Sequence, residues 1–372
     1  MKNIHRPSHF RRALSALTAT ALTAAVTVAP AQACTSFLLG TSDGAFVYGR
    51  TMEFGFELKS DGVVIPRGYG FSSPGSNGKP GMSWKTKYAA TGLNGFGLNV
   101  LIDGMNEKGL AGGILYFPGY AEYADPAKAD PAKSMAPWEF LTWALTNFAT
   151  VAEVKAHLDG ISVVGVKLDT LGFVPPAHYT LHDASGASIV IEPVGGVLKV
   201  YDNPLGVMTN SPTFDWHLTN LKNYVKLSPV NAPPLKANGQ TISSFGEGSG
   251  LLGIPGDPTP PSRFIRALGY VLSAEPKPSG VESVRLAEHI LNNFDLPIGF
   301  VRAGEKPTPD GYDYTQWSTV ADMKNMRYYV KTYDDQVLRG IDLMSFDLDA
   351  KTVVNAPLKP DMTPPALSFS KP

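Results

Sequence analysis

The sequence predicts an α+β fold in which sheets and helices stack in layers, and two patterns support this. Pairs of strand-like runs joined by glycine-containing turns recur, as at 36–50 and 179–191. Two blocks with helical periodicity, 137–158 and 262–294, lie between the strand-rich regions. No internal repeat and no linker divides the chain. Several hairpins with two blocks of paired helices indicate a layered α+β sandwich.

The individual elements follow from local signals. Thr150 and Glu153 have the spacing of a capping box and open a short helix to residue 158. The other helices are expected at 137–145, 262–275 and 280–294. Further strands are expected at 95–103, 110–117, 197–210, 326–333 and 336–346. Residues 227–261 form a polar excursion rich in proline and glycine.

The first 33 residues are typical of an export signal. Four basic residues and no acidic one precede an Ala/Leu/Thr/Val-rich run at 13–28, and the AQA at 31–33 matches the small-x-small cleavage rule. An uncleaved membrane anchor is the alternative, but the run is short, rich in threonine and broken by Pro30. We predict that residues 1–33 are removed, leaving 34–372 as a single domain exported to the periplasm or secreted, by a route that the sequence leaves open.

Composition excludes several classes of protein. Without the leader the basic residues fall from 32 to 28 while the acidic ones stay at 33, so the chain carries about −5. This balance offers no basic footprint for nucleic acid and no polybasic membrane surface. No later run is long enough to span a bilayer, and no Walker or dinucleotide glycine pattern occurs. We therefore expect neither a metal nor a cofactor, and a small molecule as the partner.

Cys34 is the only cysteine in the chain, and it directly follows the expected cleavage site in APAQACTSF, residues 29–37. It cannot form an internal disulfide, and a single thiol in an exported protein is a candidate for a reactive group. After cleavage the residue that bears the thiol also carries a free α-amine, which can accept the thiol proton near neutral pH. A buried free cysteine and a lipidated lipoprotein cysteine are the alternatives.

Arg50 and Glu53 end the second strand of the first predicted hairpin. A guanidinium beside a cysteine increases its thiolate fraction, and a carboxylate could hold the α-amine in place. An Arg-x-x-Glu sequence is also common as a surface ion pair. His178 and His182 have a spacing that suits a metal site on a helix, but the pattern between them is strand-like, so structural histidines are expected.

Aromatic residues cluster at two places, Tyr116-Phe117 and Trp138/Phe140/Trp143. They could line an apolar substrate pocket. Core packing is the alternative for each of them.

Taken together, these segments resemble the choloylglycine hydrolase family, which holds bile salt hydrolases and penicillin V acylases. The matches occur in order along almost the whole chain after the leader. They are CT at 34–35, GRTM at 49–52, DGMNEKGL at 103–110, FPGY at 117–120, NPLGVMTNSPTFDW at 203–216, LGIPGD at 252–257 and SRFIR at 262–266.

This resemblance implies an N-terminal-nucleophile hydrolase with four αββα layers that cuts non-peptide amide bonds. Cys34 would be the nucleophile through its sulfur and the base through its amine, and Arg50 would lie on the thiol side. Asn210, with the backbone N–H of Tyr116, would form the oxyanion hole. Arg263 matches a second arginine of the family site.

The resemblance also bears on substrate and assembly. Tyr116 falls where penicillin V acylases tend to carry tyrosine, which favours a phenoxyacetyl amide. N-acyl homoserine lactones and bile salts are alternatives. Glu53 differs from the family, which usually has aspartate at this position. We expect the carboxylate of Glu53 still to hold the α-amine in place. The resemblance also implies a homotetramer that is held together partly by residues 220–253. A catalytically inactive exported binding protein of the same fold is the alternative from another class.

Overall fold

The structure is a computed structural model that describes residues 33–76, 79–302, 304 and 312–369. The predicted export signal lies outside the described residues except for Ala33. Within the described part of the chain, no helix is both long and apolar enough to cross a membrane.

Nineteen strands and five α-helices are present in the described residues. The strands are β1 (Cys34–Gly40), β2 (Phe46–Phe54), β3 (Asp61–Ile65), β4 (Gly70–Ser72), β5 (Ser83–Lys85), β6 (Ala90–Leu93), β7 (Asp103–Asn106), β8 (Ala111–Tyr116), β9 (Ser134–Met135), β10 (Ser162–Val163), β11 (Ala177–His182), β12 (Ser188–Val194), β13 (Val197–Asp202), β14 (Leu235–Ala237), β15 (Gln240–Ile242), β16 (Tyr314–Asp322), β17 (Arg327–Thr332), β18 (Arg339–Asp342) and β19 (Val354–Pro357). The helices are α1 (Phe140–Asn147), α2 (Val151–His157), α3 (Phe214–Asn220), α4 (Pro260–Ser273) and α5 (Gly280–Leu291).

Two antiparallel sheets form the centre of the fold. The smaller sheet has the order β1-β2-β16-β17-β18, and the larger has β13-β12-β11-β8-β7-β6-β3-β19. Strand β2 of the smaller sheet contacts β8 of the larger, so the two sheets face each other. Tyr48, Met105, Leu115 and Ala321 are among the buried side chains between the two sheets.

Each sheet carries helices on its outer face. Helices α4 and α5 pack on β1, β2 and β16 of the smaller sheet, whereas α1 packs on β7 and β8 of the larger. Phe140 and Val154 of the α1–α2 pair are buried with Ile65 and Tyr179 of the larger sheet in a separate apolar cluster. The order of layers is therefore αββα, which confirms the predicted fold class.

Several of the expected elements are confirmed. The first hairpin pairs Cys34 with Met52. Thr150 caps α2 by accepting a hydrogen bond from the Glu153 N–H at 3.1 Å. The polar excursion at 227–261 contains only the short β14–β15 hairpin and a single 3₁₀ turn before α4 begins.

The strand predicted at 95–103 is wrong, because only Asp103–Asn106 is extended in the sheet. Phe96 and Gly97 both have positive φ, which ends a strand. The alternating apolar residues Leu98, Val100 and Ile102 line a pocket instead of a sheet face. The strand predicted at 197–210 is likewise too long, since β13 ends at Asp202.

Candidate active site

Cys34 is the first residue of β1, and the hairpin decides what surrounds its thiol. Because side chains alternate along a strand, Arg50 and Met52 of β2 leave the sheet on the same face as Cys34. The Arg50 Nη2 lies 3.5 Å from Cys34 Sγ, and the thiol lies 3.8 Å from the Met52 sulfur. Cys34 is 1% exposed and borders an apolar pocket. A cation and an apolar cavity therefore meet at the sulfur.

The Arg50 guanidinium is fully buried between the sheets. Its Nη1 donates to the Ile102 carbonyl at 2.8 Å and lies 3.4 Å from Asp103 Oδ2, while Nη2 donates to the Ile114 carbonyl at 2.5 Å. The ring of Trp317 lies 5.3 Å from its central carbon. These contacts fix the cation in one orientation with one edge towards the thiol.

Asn210 reaches Cys34 because its segment adds to the outer edge of β1. The Ser36 N–H donates to the Met208 carbonyl at 2.8 Å, so two residues further along Asn210 comes opposite Cys34. The Cys34 N–H donates to Asn210 Oδ1 at 2.7 Å. That oxygen also accepts a hydrogen bond from Arg263 Nη2 at 2.7 Å.

Arg263 lies on α4, which covers the outer face of β1. Its Nη1 donates to the Cys34 carbonyl and, at 2.9 Å, to the Thr35 hydroxyl. The side chain is 1% exposed, and burial lowers the pKa of Arg263 to about 10. A guanidinium with this pKa still carries its charge at neutral pH, so Arg263 ties Asn210 to the backbone of Cys34.

Tyr116 supplies two backbone groups near Asn210. Its carbonyl accepts a hydrogen bond from Asn210 Nδ2 at 2.8 Å. Successive N–H groups of a strand point to opposite edges. On β8 the Ile114 N–H donates to the Ile102 carbonyl at one edge, and the Phe117 N–H donates to the Pro176 carbonyl at the other. The Tyr116 N–H therefore points to the same edge as the Ile114 N–H. An amide nitrogen carries two hydrogens, which leaves one Asn210 donor for an oxygen beside the thiol.

Glu53 pairs across the hairpin with Ala33, because its N–H donates to the Ala33 carbonyl at 2.9 Å. Its side chain therefore leaves the sheet beside the Ala33–Cys34 peptide bond, on the face that α4 and α5 cover. Oε1 accepts a hydrogen bond from Thr315 at 2.9 Å, and Oε2 has no partner among the described residues. Burial raises the pKa of Glu53 to about 7, against the opposing charge of Arg263.

We predict that Glu53→Gln removes a pH-dependent loss of stability in a chain that begins at Ala33. With a pKa of about 7 against an ordinary 4.5, folded Glu53 binds more protons than unfolded Glu53 between these values. The free energy of unfolding therefore falls as pH rises from 4.5 through 7, by about 3 kcal/mol. Urea unfolding at pH 5 and pH 8 should show this loss in the parent and not in the variant.

The same measurement on a chain that begins at Cys34 is the control. There the α-ammonium of Cys34 is a counter-charge for Glu53. Parent and variant should therefore differ less in how far their free energy of unfolding changes between pH 5 and pH 8. Equal pH dependence of parent and variant in both chains would contradict the placement of an uncompensated carboxyl here.

A cavity of about 670 Å³, counting its part open to solvent, lies beside the thiol. Its lining includes Phe54, Leu98, Leu168 and Leu171. Of the described residues that line it, only Cys34, Tyr116 and Trp138 carry an N–H, O–H or S–H group on the side chain. The Tyr116 ring packs edge-on to Phe54 with ring centroids 5.9 Å apart. The cavity therefore suits an apolar group.

The aromatic residues singled out in the sequence divide between pocket and core. Tyr116 and Trp138 line the pocket, whereas Phe140 and Trp143 pack in the helix-covered core. Phe117 does not line the pocket, which corrects the expectation that it binds substrate. It is fully buried, and its ring stacks on His178 at a centroid distance of 4.2 Å.

The two histidines four apart serve different neighbours. His178 Nδ1 lies 3.3 Å from Glu192 Oε1, and His182 Nε2 lies 3.0 Å from the Thr180 hydroxyl. Burial lowers the pKa of His182 to about 3, so it is neutral. No group of three or more potential metal ligands occurs within the described part of the chain.

Sequence reasoning missed two neighbours of the site. His217 Nε2 lies 2.9 Å from the Asn210 carbonyl and fixes the backbone of that residue. Asp103 faces Arg50, as described above. His217 directly follows the matched segment at 203–216, and Asp103 lies in the one at 103–110, but no local spacing connects either residue with Cys34.

Comparison with known proteins shows to which family the chain belongs. A family model described as linear amide C–N hydrolases, choloylglycine hydrolase family, matches residues 34–356. The chain belongs to the choloylglycine hydrolase family. It is a hydrolase that acts on linear amide C–N bonds, and the resemblance drawn from its sequence is confirmed.

Two kinds of hydrolase are among its relatives. The chain is 36% identical over 326 residues to a bile salt hydrolase/transferase of Clostridium perfringens, covering 86% of this chain and 95% of that protein. A solved structure of a conjugated bile acid hydrolase variant from the same species matches with a TM-score of 0.78 at 32% identity, covering 90% of this chain and all of the other. Penicillin V acylase from Agrobacterium tumefaciens matches with a TM-score of 0.71 at 25% identity, covering 88% and 92%.

Proposed function

We propose that this family member is an exported acylase of the penicillin V acylase type, with the N-terminal Cys34 as nucleophile. The observation that carries the proposal is the position of the Cys34 thiol, between the fixed guanidinium of Arg50 and an almost wholly apolar pocket. A thiol placed in this way can attack an amide whose acyl group occupies the pocket.

Acylation then proceeds as follows. The neutral α-amine of Cys34 accepts the thiol proton, and the sulfur attacks the amide carbonyl carbon. The oxygen of the tetrahedral intermediate receives hydrogen bonds from Asn210 Nδ2 and the Tyr116 N–H. The α-ammonium gives its proton to the leaving nitrogen as the C–N bond breaks, and a thioester remains on Cys34.

Deacylation uses the same groups in reverse order. The α-amine accepts a proton from water, which attacks the thioester carbonyl. The C–S bond breaks, the acid leaves, and the sulfur regains its proton. Arg50 offsets the negative charge that the sulfur carries in both steps, while Glu53 and Arg263 hold the amine and Asn210 in position.

The pocket favours an unsubstituted aryl or alkyl acyl group. Overall identity is higher to the bile salt hydrolase relative than to the penicillin V acylase structure. However, the hydroxyl groups of a steroid would find few polar partners among the residues that line the pocket, and each unpaired buried hydroxyl reduces affinity. The rings of Tyr116 and Phe54 suit a phenoxy group through edge or face contacts.

Steady-state hydrolysis of three amides tests this proposal. We expect kcat/KM to be highest for a phenoxyacetyl amide such as penicillin V. An N-acyl homoserine lactone with a medium-length chain, which the same apolar pocket favours, should come second, and a conjugated bile acid should be at least tenfold poorer. A preference for the bile acid would overturn the substrate assignment. No turnover of any amide would favour the inactive binding protein.

Export and assembly are part of the same proposal. The leader sequence supports removal of residues 1–33, which leaves a single domain from Cys34 onwards with a free amine. The excursion around β14 and β15 exposes Leu235, Ile242 and Phe245, which supports its burial in a homotetramer. Mass spectrometry of the exported protein under denaturing and native conditions should give a subunit that begins at unmodified Cys34 and a mass of four subunits.

A further inference from the structure

Asp103 is a fully buried carboxylate at the first position of β7, between the two sheets. Three hydroxyl groups donate to it: Tyr48 to Oδ2 at 2.8 Å, Thr319 to Oδ1 at 2.8 Å and Tyr328 to Oδ1 at 2.5 Å. Burial, followed by the nearby carboxylate, raises the pKa of both phenols, so they remain protonated donors. The four strands that supply this cluster therefore converge on one buried charge.

Arg50 joins Asp103 to the thiol. The same guanidinium reaches Asp103 Oδ2 with Nη1, at 3.4 Å, and Cys34 Sγ with Nη2, at 3.5 Å. Two backbone carbonyls hold it independently, so its place does not depend on Asp103 alone. One cation thus faces two groups that can carry negative charge.

The space around this cluster is closed to any larger residue at position 113. A Cβ built on Gly113 would lie 2.6 Å from the Tyr48 hydroxyl, 2.7 Å from Arg50 Nη1 and 2.8 Å from Asp103 Oδ2. Such distances are far inside van der Waals contact. Glycine at this point of β8 is what allows the carboxylate, the phenol and the guanidinium to meet.

Other charged groups around the cluster are accounted for. His182 of β11 packs its ring on Tyr48 and is neutral, because burial lowers its pKa. Glu53 of β2 and Arg263 of α4 lie on the opposite face of the smaller sheet. Burial raises the pKa of Asp103, while Arg50 and the three hydroxyls favour its ionised form. All four side chains that contact it are donors, as an ionised carboxylate requires.

We propose that Asp103 is a positioning residue for the nucleophile, which acts through Arg50 and moderates the effect of that cation on the Cys34 thiol. A neighbouring cation favours a thiolate of low basicity, and such a thiolate is a weak nucleophile, because nucleophilicity falls with basicity. The Asp103 charge counters this and keeps the proton available for the α-amine. This inference rests on the proposed role of Cys34.

Asp103→Asn tests the proposal, because it removes the charge and retains the shape and one acceptor oxygen. The probe is iodoacetamide, and Cys34 as the only cysteine makes the mass shift specific. On the purified protein, with its N-terminus established by intact mass, the alkylation rate is measured from pH 5 to 10. We expect the midpoint of the pH profile to fall by about one unit, and the plateau rate to fall about threefold.

Two further variants keep the test decisive. Thr319→Val is nearly isosteric and removes one donor from Asp103, so the midpoint should rise by a few tenths of a unit. Glu139→Gln neutralises a buried carboxyl next to α1, on the other side of the larger sheet, and should leave the profile unchanged. A midpoint that does not fall in Asp103→Asn overturns the proposal. If Asp103→Asn does not fold, Thr319→Val decides. A midpoint of its pH profile that is unchanged or lower than in the parent then overturns the proposal.

Amide turnover by the parent protein separates this inference from the proposed function. If the parent hydrolyses amides normally and the alkylation midpoint of Asp103→Asn is unchanged, only the role of Asp103 is refuted, and the proposed function stands. Absence of hydrolysis in the parent refutes the proposed function, whatever the alkylation profile.

Discussion

Replacement of Cys34 by serine is expected to lower kcat/KM for the best amide substrate by about 10³-fold or more. A hydroxyl is a much weaker acid than a thiol, so the Arg50 guanidinium 3.5 Å away cannot keep a useful fraction of it ionised. The fold should be retained, because the two side chains differ by one atom. Steady-state kinetics and thermal unfolding of parent and variant give the measurement.

Met52→Leu is the matched control for this substitution. It removes the other sulfur at the site, 3.8 Å from the thiol, and preserves volume. We expect less than a tenfold change in kcat/KM. An acid quench during turnover should also trap an acyl group on Cys34 of the parent, seen by mass. Near-parental activity of Cys34→Ser would exclude the thiol as nucleophile.

Asn210→Ala is expected to lower kcat by about 10²–10³-fold. Its amide nitrogen is the side-chain donor placed beside the thiol, and its oxygen joins the Cys34 N–H to Arg263. The variant loses both functions at once. Comparison of kcat, rather than KM, isolates the contribution made in the transition state.

Asn210→Asp separates the two functions. The carboxylate keeps an oxygen for Cys34 and Arg263 but offers no N–H to a developing oxyanion. We expect kcat to fall as far as in the alanine variant. The second carboxylate oxygen replaces a nitrogen that lies 2.8 Å from the Tyr116 carbonyl, so the unfolding temperature should also fall. If the aspartate variant keeps the parental kcat, the donor role of Asn210 fails. If only the aspartate variant is unstable, the alanine variant still measures how far kcat falls when the Asn210 donor is removed.

Local patterns in the sequence determined much of the fold. The hairpin from Cys34 to Phe54 was predictable because strand alternation and an Asp-Gly turn are both encoded locally, within the hairpin itself. The helix start after Thr150 follows from a side chain that caps its own backbone. The strand predicted at 95–103 failed because period-two apolar residues also line pockets, and sequence alternation does not distinguish the two environments.

The site was predictable in part through two routes. The lone cysteine directly after a predicted cleavage site pointed to a nucleophile by chemistry alone. The family resemblance then located Arg50, Asn210 and Arg263, which the structure places around that residue. The aromatic pair at 116–117 pointed to a substrate pocket, but only Tyr116 lines it, and Phe117 packs in the core as the alternative had it.

By itself, then, the sequence determined the layered fold class, the first hairpin and the residue that bears the thiol, because these depend on spacing along the chain. Only the tertiary structure decided that Asp103 faces Arg50, that Glu53 lies buried beside the Ala33–Cys34 bond, and that the pocket is almost free of polar groups. Alternation assigns a residue to one face of a strand. The register and packing of strands distant in sequence decide which residue it meets there.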